Sequence, residues 1–294
     1  LKANTSGVSS TATGSFSLQA NTTGQNNSVF GQSAMYANTT GSNNTAVGQS
    51  ALNGNTTASE NTAVGFQALY SSVTSSSNTA VGFQAGYSNT TGNYNTAIGT
   101  YALYANSTTQ RNTAVGHTAL YNNVGNYNTA VGEAALSSNQ GGASNTAVGM
   151  QAMYYTTTGN ANTAVGMYAL FTNSTGGGNV SVGYQSLQNN TTASYNVAVG
   201  YQAGYSGTSG AAGAVYVGYQ AGYSITGTSN TMVGNQAGYY ITTGAKNTIL
   251  GQYNGNQGGL DIRTASNYIV LSDGDGQPRI YMDNSGYFTF KNFG

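Results

Sequence analysis

Asn61-Thr62-Ala63-Val64-Gly65 recurs along the chain, unchanged or as a close variant. Its glycine falls at 14, 31, 48, 65, 82, 99, 116, 132, 149, 166, 183, 200, 218, 234 and 251. The fourteen intervals are 17 residues, except two of 16 ending at Gly132 and Gly234 and one of 18 ending at Gly218. A period this short and strict means one structural unit stacked on its own copies, each burying its apolar side only against its neighbours. With the glycine numbered zero, position −4 is Asn in thirteen of the fifteen units, and only Ser10 and Ala214 depart. Position −1 is Val, Ile, Leu or Phe in all but the first unit, +3 is nearly always Ala or Ser, and +4 is Leu, Met or Gly.

Asn-Thr clusters and glycines at fixed spacing would break every helix near its middle, so a helical reading fails. A triangular β-helix needs three hexads per turn, and Val-Gly-x-x-Ala-Leu supplies one. The expectation is therefore an all-β fold: a flattened parallel β-roll solenoid with two short strands per coil. Strand alternation places −3 and −1 on one face and −2 with the glycine on the other. The core is assigned to Val47, Val64, Val81, Ile98, Val115, Val131, Val148, Val165, Val182 and Val199. The Thr of position −3 is placed beside them, because it becomes Val180, Val197 and Val215 without breaking the repeat. The Ala and Gly face is then outward, flat and suited to another chain. On the second strand Leu52, Leu69, Leu103, Leu120, Leu136, Leu170 and Leu187 are placed inward. Gly86, Gly204, Gly222 and Gly238 stand in that column instead, and each is followed by a Tyr expected to cover it.

Of 294 residues only 4% are charged and the net charge is zero, with 43 Gly, 24 Tyr, one Pro and no Cys or Trp. Disordered chains usually combine high net charge with few aromatics, so this one reads as ordered. Zero net charge removes the electrostatic case for nucleic acid or an anionic membrane surface. Absent cysteine excludes disulfides and thiolate chemistry. No run approaches the roughly 18 apolar residues of a membrane span, so no membrane insertion is expected. The chain opens at Leu1 without an initiator Met or signal peptide, which reads as a processed or partial product.

Three regions follow: a lead-in at 1–9, the repeat domain at 10–252 and a C-terminal β-meander at 253–294. Seven of the charged residues (Asp261, Arg263, Asp273, Asp275, Arg279, Asp283 and Lys291) fall in the last region. Tyr268-Ile269-Val270-Leu271, Arg279-Ile280-Tyr281-Met282 and Tyr287-Phe288-Thr289-Phe290 read as its strands. Asp-Gly-Asp-Gly at 273–276 and Asp-Asn-Ser-Gly at 283–286 read as the turns.

The Asn-Thr-Ala-Val-Gly unit resembles the head repeats of trimeric autotransporter adhesins of the YadA type, built around Asn-Ser-Val-Ala-Ile-Gly. The longer string Asn-Thr-Ala-Val-Gly-Phe-Gln-Ala-Leu-Tyr (61–70) is similar to repeats in marine phage fibre proteins. The segment from Tyr268 to Gly286 is similar to tail-fibre segments that precede an intramolecular chaperone domain. The resemblance spans residues 10–290 and implies a left-handed parallel β-roll in which three chains assemble. It also implies an extracellular or virion-surface fibre, with host or surface attachment as its use. The unit here is 17 residues rather than about 14, and neither heptad stalk nor membrane anchor follows, which favours a phage tail or virion fibre. A bacterial surface adhesin or self-assembling extracellular filament is the alternative.

Candidate sites are few. Asn44, Asn61, Asn78, Asn95, Asn112, Asn128, Asn145, Asn162, Asn179 and Asn196 read as a structural amide ladder stacked coil on coil. The Thr column raises an ice-binding solenoid as a remote alternative. Tyr70, Tyr87, Tyr104, Tyr121, Tyr205 and Tyr223 form an external row, read as rung-to-rung stacking or as contact with a cell-surface glycan or receptor. His117, the one histidine, reads as an incidental surface residue, and Glu60 and Glu133 lie in different coils. Asp273 and Asp275 read as turn residues rather than calcium ligands. No cofactor, metal or catalytic constellation is expected, so the chain does not read as an enzyme.

Overall fold

The computed structural model describes residues 3–207 and 211–291, so residues 1–2 of the expected lead-in and 292–294 of the expected meander lie outside the described residues. The described residues contain no helix, and the fold is all-β: a parallel β-roll solenoid with an antiparallel sheet at its C-terminal end. Two compact units divide the chain, Leu1–Asn145 and Thr146–Gly294. In the first, eight three-residue strands from Thr11–Thr13 to Thr129–Val131 pair parallel in sequence order. Like residues oppose like, Thr62 against Thr79 and Val64 against Val81. In the second, strands from Thr146–Val148 to Thr248–Leu250 stack in the same way.

The faces of these strands are the reverse of the sequence expectation. Ala46, Ala63, Ala80, Ala114, Ala130, Ala147, Ala164 and Ala198 are fully buried. The residues assigned to the core, Val47, Val64, Val81, Ile98, Val115, Val131, Val148, Val165, Val182 and Val199, instead lie outward and are partly exposed. The physical reason is the Asn at −4. Its amide is committed to bonds inside the coil, and the two-residue period of a strand then turns −2 inward and −1 outward. The Ala face is therefore the roll interior and is not available to a second chain.

The expected second strand is replaced by a run of turns. Gly65 has φ 136°, Gln67 φ 53° and Leu69 φ 50°, so alternate residues occupy left-handed conformations. The N–H groups of Gly65 and Gln67 donate to the preceding coil (Val47 and Gln49), and those of Leu69 and Ser71 to the following one (Ala85 and Tyr87). An extended strand cannot bury two consecutive side chains, yet Ala68 and Leu69 are both buried. The left-handed turn at Leu69 makes this possible at a cost of roughly 1–2 kcal/mol, offset by about 1.5–3 kcal/mol for burying a Leu.

Interior volume is traded between positions −2 and +4. Where Ala at −2 gives way to Tyr216 and Met232, position +4 of the same coil is Gly222 and Gly238. A Cβ on Gly222 would lie 2.6 Å from Cε1 of Tyr216, one on Gly204 2.6 Å from Cδ2 of the same ring, and one on Gly238 2.7 Å from the Met232 sulfur. At Gly86 the space is taken by Leu69 of the preceding coil, 2.9 Å from the same reference point. These glycines are thus filled from inside the roll, not covered by the tyrosines that follow them.

The period does not stop at Gly251. The strand Ile269–Ser272 pairs parallel with Thr248–Leu250 as a further rung, and Tyr268 N–H bonds Asn247 Oδ1 at 2.9 Å across an interval of 21 residues. The extra residues hold a hairpin, Asn256–Gln257 against Leu260–Asp261, pinned by Tyr253, whose buried hydroxyl donates to the Leu260 carbonyl at 2.7 Å. Pro278–Met282 and Phe288–Phe290 then add antiparallel to that rung. The meander is a continuation of the roll's sheet rather than a separate body.

Candidate functional site

The repeat builds two interior asparagine columns, external aromatic rows and an outward Thr/Val face, and the hairpin near its end adds a cleft.

Asn44, Asn61, Asn78, Asn95, Asn112, Asn128, Asn145, Asn162, Asn179 and Asn196 are all buried. Within each unit the Oδ1 of one coil's Asn accepts the backbone N–H of the residue that follows it in the column, as Asn61 N–H to Asn44 (2.9 Å), Asn95 N–H to Asn78 (2.8 Å) and Asn196 N–H to Asn179 (2.9 Å). The Nδ2 donates to a turn carbonyl, Asn61 to Ser75 at 2.8 Å and Asn162 to Gly176 at 2.8 Å. A second interior column at +7 was not singled out in the sequence. Asn38 Nδ2 donates to Asn21 Oδ1 (2.8 Å) and to the Gly41 carbonyl (3.0 Å), and Asn55 repeats the pattern. Its signal was present in the recurring Asn-Thr-Thr-Gly strings, which composition alone assigns to surface turns. Both columns are buried inside their own coils, so neither offers an amide to a ligand, although Asn196 Nδ2 and the Oδ1 atoms of Asn55, Asn139 and Asn190 make no hydrogen bond among the described residues.

Tyr70, Tyr87, Tyr104 and Tyr121 form one stack, with ring centroids 5.2, 5.2 and 5.1 Å apart and planes within 12° of parallel. Tyr205, Tyr223 and Tyr239 form another at 4.9 Å. A row at +1 was missed in the sequence because that position varies: Phe66 on Phe83 at 5.2 Å, and Tyr184, Tyr201 and Tyr219 at 5.2 and 5.3 Å. At these separations no sugar ring fits between neighbours. The inner rings of each ladder present edges and hydroxyls outward, and only terminal rings retain a free face. His117 is exposed on this outer surface.

The outward face carries Thr at −3 and Val at −1. Val47 and Val81 are each 37% exposed, and Ile98 and Val165 nearly the same. The C-terminal sheet extends this face in register, opposing Ile269 with Met282 and Leu271 with Ile280, then Met282 with Phe288 and Ile280 with Phe290. Phe288 is 66% and Phe290 76% exposed, whereas Val270 on the opposite face is buried. The exposed stripe thus becomes more apolar towards the C-terminus.

The cleft lies in the second unit and is lined by Tyr240, Thr242, Asp261, Arg263 and Thr264, with a volume of about 500 Å³. Arg263 holds Asp261 through Nε to Oδ1 at 3.0 Å and Nη2 to Oδ2 at 2.7 Å. That bond keeps the Asp261 carboxyl below the usual carboxylate range. Asp273 is engaged by the Gln277 N–H and by Arg279 within its turn. Among the described residues no three His, Asp or Glu side chains group to hold a metal, and no helix is long and apolar enough to cross a membrane. No family model, curated protein or solved structure matches the chain.

Proposed function

We propose that the chain is the shaft or head of an extracellular homotrimeric fibre, a phage tail or virion fibre used for host or surface attachment. A bacterial surface adhesin or self-assembling filament is the alternative. The reading is carried by the outward stripe, Val47, Val64 and Val81 in one unit and Val199, Leu250, Leu271 and Phe290 in the other. A regular, uncharged apolar stripe on an otherwise polar surface marks an interaction site. Covering the remaining surface of a half-exposed Val contributes roughly 0.5–1 kcal/mol. Summed over the rungs, this offsets an association cost of about 4–15 kcal/mol. Three copies follow from the resemblance of the repeat to trimeric heads, and the buried Ala face leaves the Thr/Val face as the surface between them. No catalytic role is assigned.

Sedimentation of the full chain tests the reading. The expected particle has three times the 29.9 kDa chain mass, and a stable monomer would overturn it.

The outward Thr column favours a second reading, ice binding. Against it, the column passes to Val180, Val197 and Val215, and where Thr is kept, from Thr45 onward, it is followed on the same face by Val, Ile or Leu. On the trimer reading the column is covered, and purified protein should show no thermal hysteresis.

A further inference from the structure

The ladders leave few aromatic faces free, which directs attention to the cleft of the second unit. Its walls are two short segments side by side, 240–242 and 261–264. Thr242 N–H donates to the Arg263 carbonyl at 2.8 Å, and its hydroxyl reaches the same oxygen at 3.2 Å. Ile241 and Ile262 are fully buried, so Tyr240, Thr242, Asp261 and Arg263 project outward from a fixed floor. The Thr242–Arg263 bond repeats the one between Thr22 and Thr39 in the regular coils, while Asp261 is brought beside it by the hairpin insertion that lengthens this interval. Tyr240 is 52% exposed and meets Tyr239 at 83° rather than stacking parallel on it, which sets it outside the ladder.

We propose that this cleft binds a neutral pyranose unit of a surface glycan. The Tyr240 ring offers an apolar face for the C–H side of a sugar. The Asp261 carboxylate keeps acceptor capacity beyond the three hydrogen bonds it takes from Arg263, and the guanidinium keeps N–H donors beyond the two it gives. An acceptor paired with a donor 2.7 Å away matches two adjacent sugar hydroxyls, each of which donates and accepts. The Thr242 and Thr264 hydroxyls add adaptable partners. The two charges cancel, and the carboxylate opposes an anionic ligand, so an uncharged sugar is favoured over a sialylated or phosphorylated one. The volume of about 500 Å³ falls within the usual range for small-ligand sites. The inference rests on the attachment reading only for its biological use.

The test is saturation-transfer NMR on the full chain with methyl α-D-glucopyranoside, methyl α-D-mannopyranoside, methyl β-D-galactopyranoside and sialyllactose as probes. At least one neutral glycoside should receive saturation. The signal should fall at least tenfold in Tyr240→Ala and in Asp261→Asn and persist in Tyr104→Ala, an inner ladder ring. Sedimentation of the same samples reports assembly separately, so lost sugar binding in an intact trimer and a failure to assemble are distinguishable. No transfer to any neutral glycoside, transfer to sialyllactose alone, or transfer undiminished in either cleft variant would overturn the proposal.

Discussion

The side-chain oxygen of Asn61 accepts the backbone N–H of Asn78 at 2.9 Å, joining one coil to the next through the interior. The Asn61 amide nitrogen simultaneously donates to the Ser75 carbonyl at 2.8 Å. Asn61→Ala strands both groups away from water, at about 1–3 kcal/mol each. Thermal denaturation should show a loss of roughly 2–5 kcal/mol, against less than about 0.5 kcal/mol for the exposed Asn122→Ala.

Ala63 and Val64 are adjacent, yet glutamate at each should fail differently. Ala63→Glu puts an unpaired carboxylate into the interior at a cost of several kcal/mol and should unfold the chain. Val64→Glu places its charge on the outward stripe, so β-structure should survive in circular dichroism while sedimentation reports separated chains. If both variants assembled normally, the outward stripe would not be the contact surface.

The Tyr216 ring occupies space left by Gly204 and Gly222, and burial pushes its phenol pKa up. Tyr216→Ala should cost about 3–5 kcal/mol through the cavity it leaves. Adding Gly204→Leu and Gly222→Leu restores the arrangement of other coils, where Leu187 holds φ 47° at the same position. The triple variant should therefore melt above Tyr216→Ala, although each Gly→Leu change alone clashes with the ring. Melting curves of the single and combined variants measure this coupling.

Asp273 is held below the usual carboxylate range, first by the Gln277 N–H and also by Arg279. A lowered folded-state pKa means the contribution is present above the unfolded value and is lost as pH falls through the folded one. The Asp273–Gly276 turn should be intact at neutral pH and loosen in acid. The Gln277 amide resonance followed from neutral to acidic pH should report this, and Asp273→Asn should remove the transition.

The coil boundaries and the all-β class were legible because Asn at −4 and Gly at zero recur at a spacing nothing else explains. The inward face was not. Hydrophobicity ranked Val64 above Ala63 for the core, but the interior is narrow and already holds Asn61 and Leu69. The parity of a buried Asn would have assigned Ala63 correctly, had the ladder been placed before the core. Leu69 was placed inward correctly, but the burial of Ala68 beside it was opaque, since both face inward only through a left-handed residue, which propensity disfavours. The cleft was invisible for another reason. Asp261, Arg263 and Tyr240 come together through a hairpin that interrupts the repeat, where periodicity carries no information.

The trade between Tyr216 and its glycines divides the coils into two kinds with respect to length. From Asn44 to Gly116 every rung offers the next the same Asn and Ala, with Leu or Gly at +4, so excising residues 61–77 would set Asn78 on Asn44 and leave Leu52 to fill the space at Gly86 as Leu69 does now. Around Tyr216 a rung fits only its present neighbours, because a Cβ at Gly204 or Gly222 would run into that ring. The first kind of coil can be gained or lost in whole units during evolution, and the second cannot. The molecule is thus free to change its reach while the segment bearing the cleft and the C-terminal sheet stays as it is.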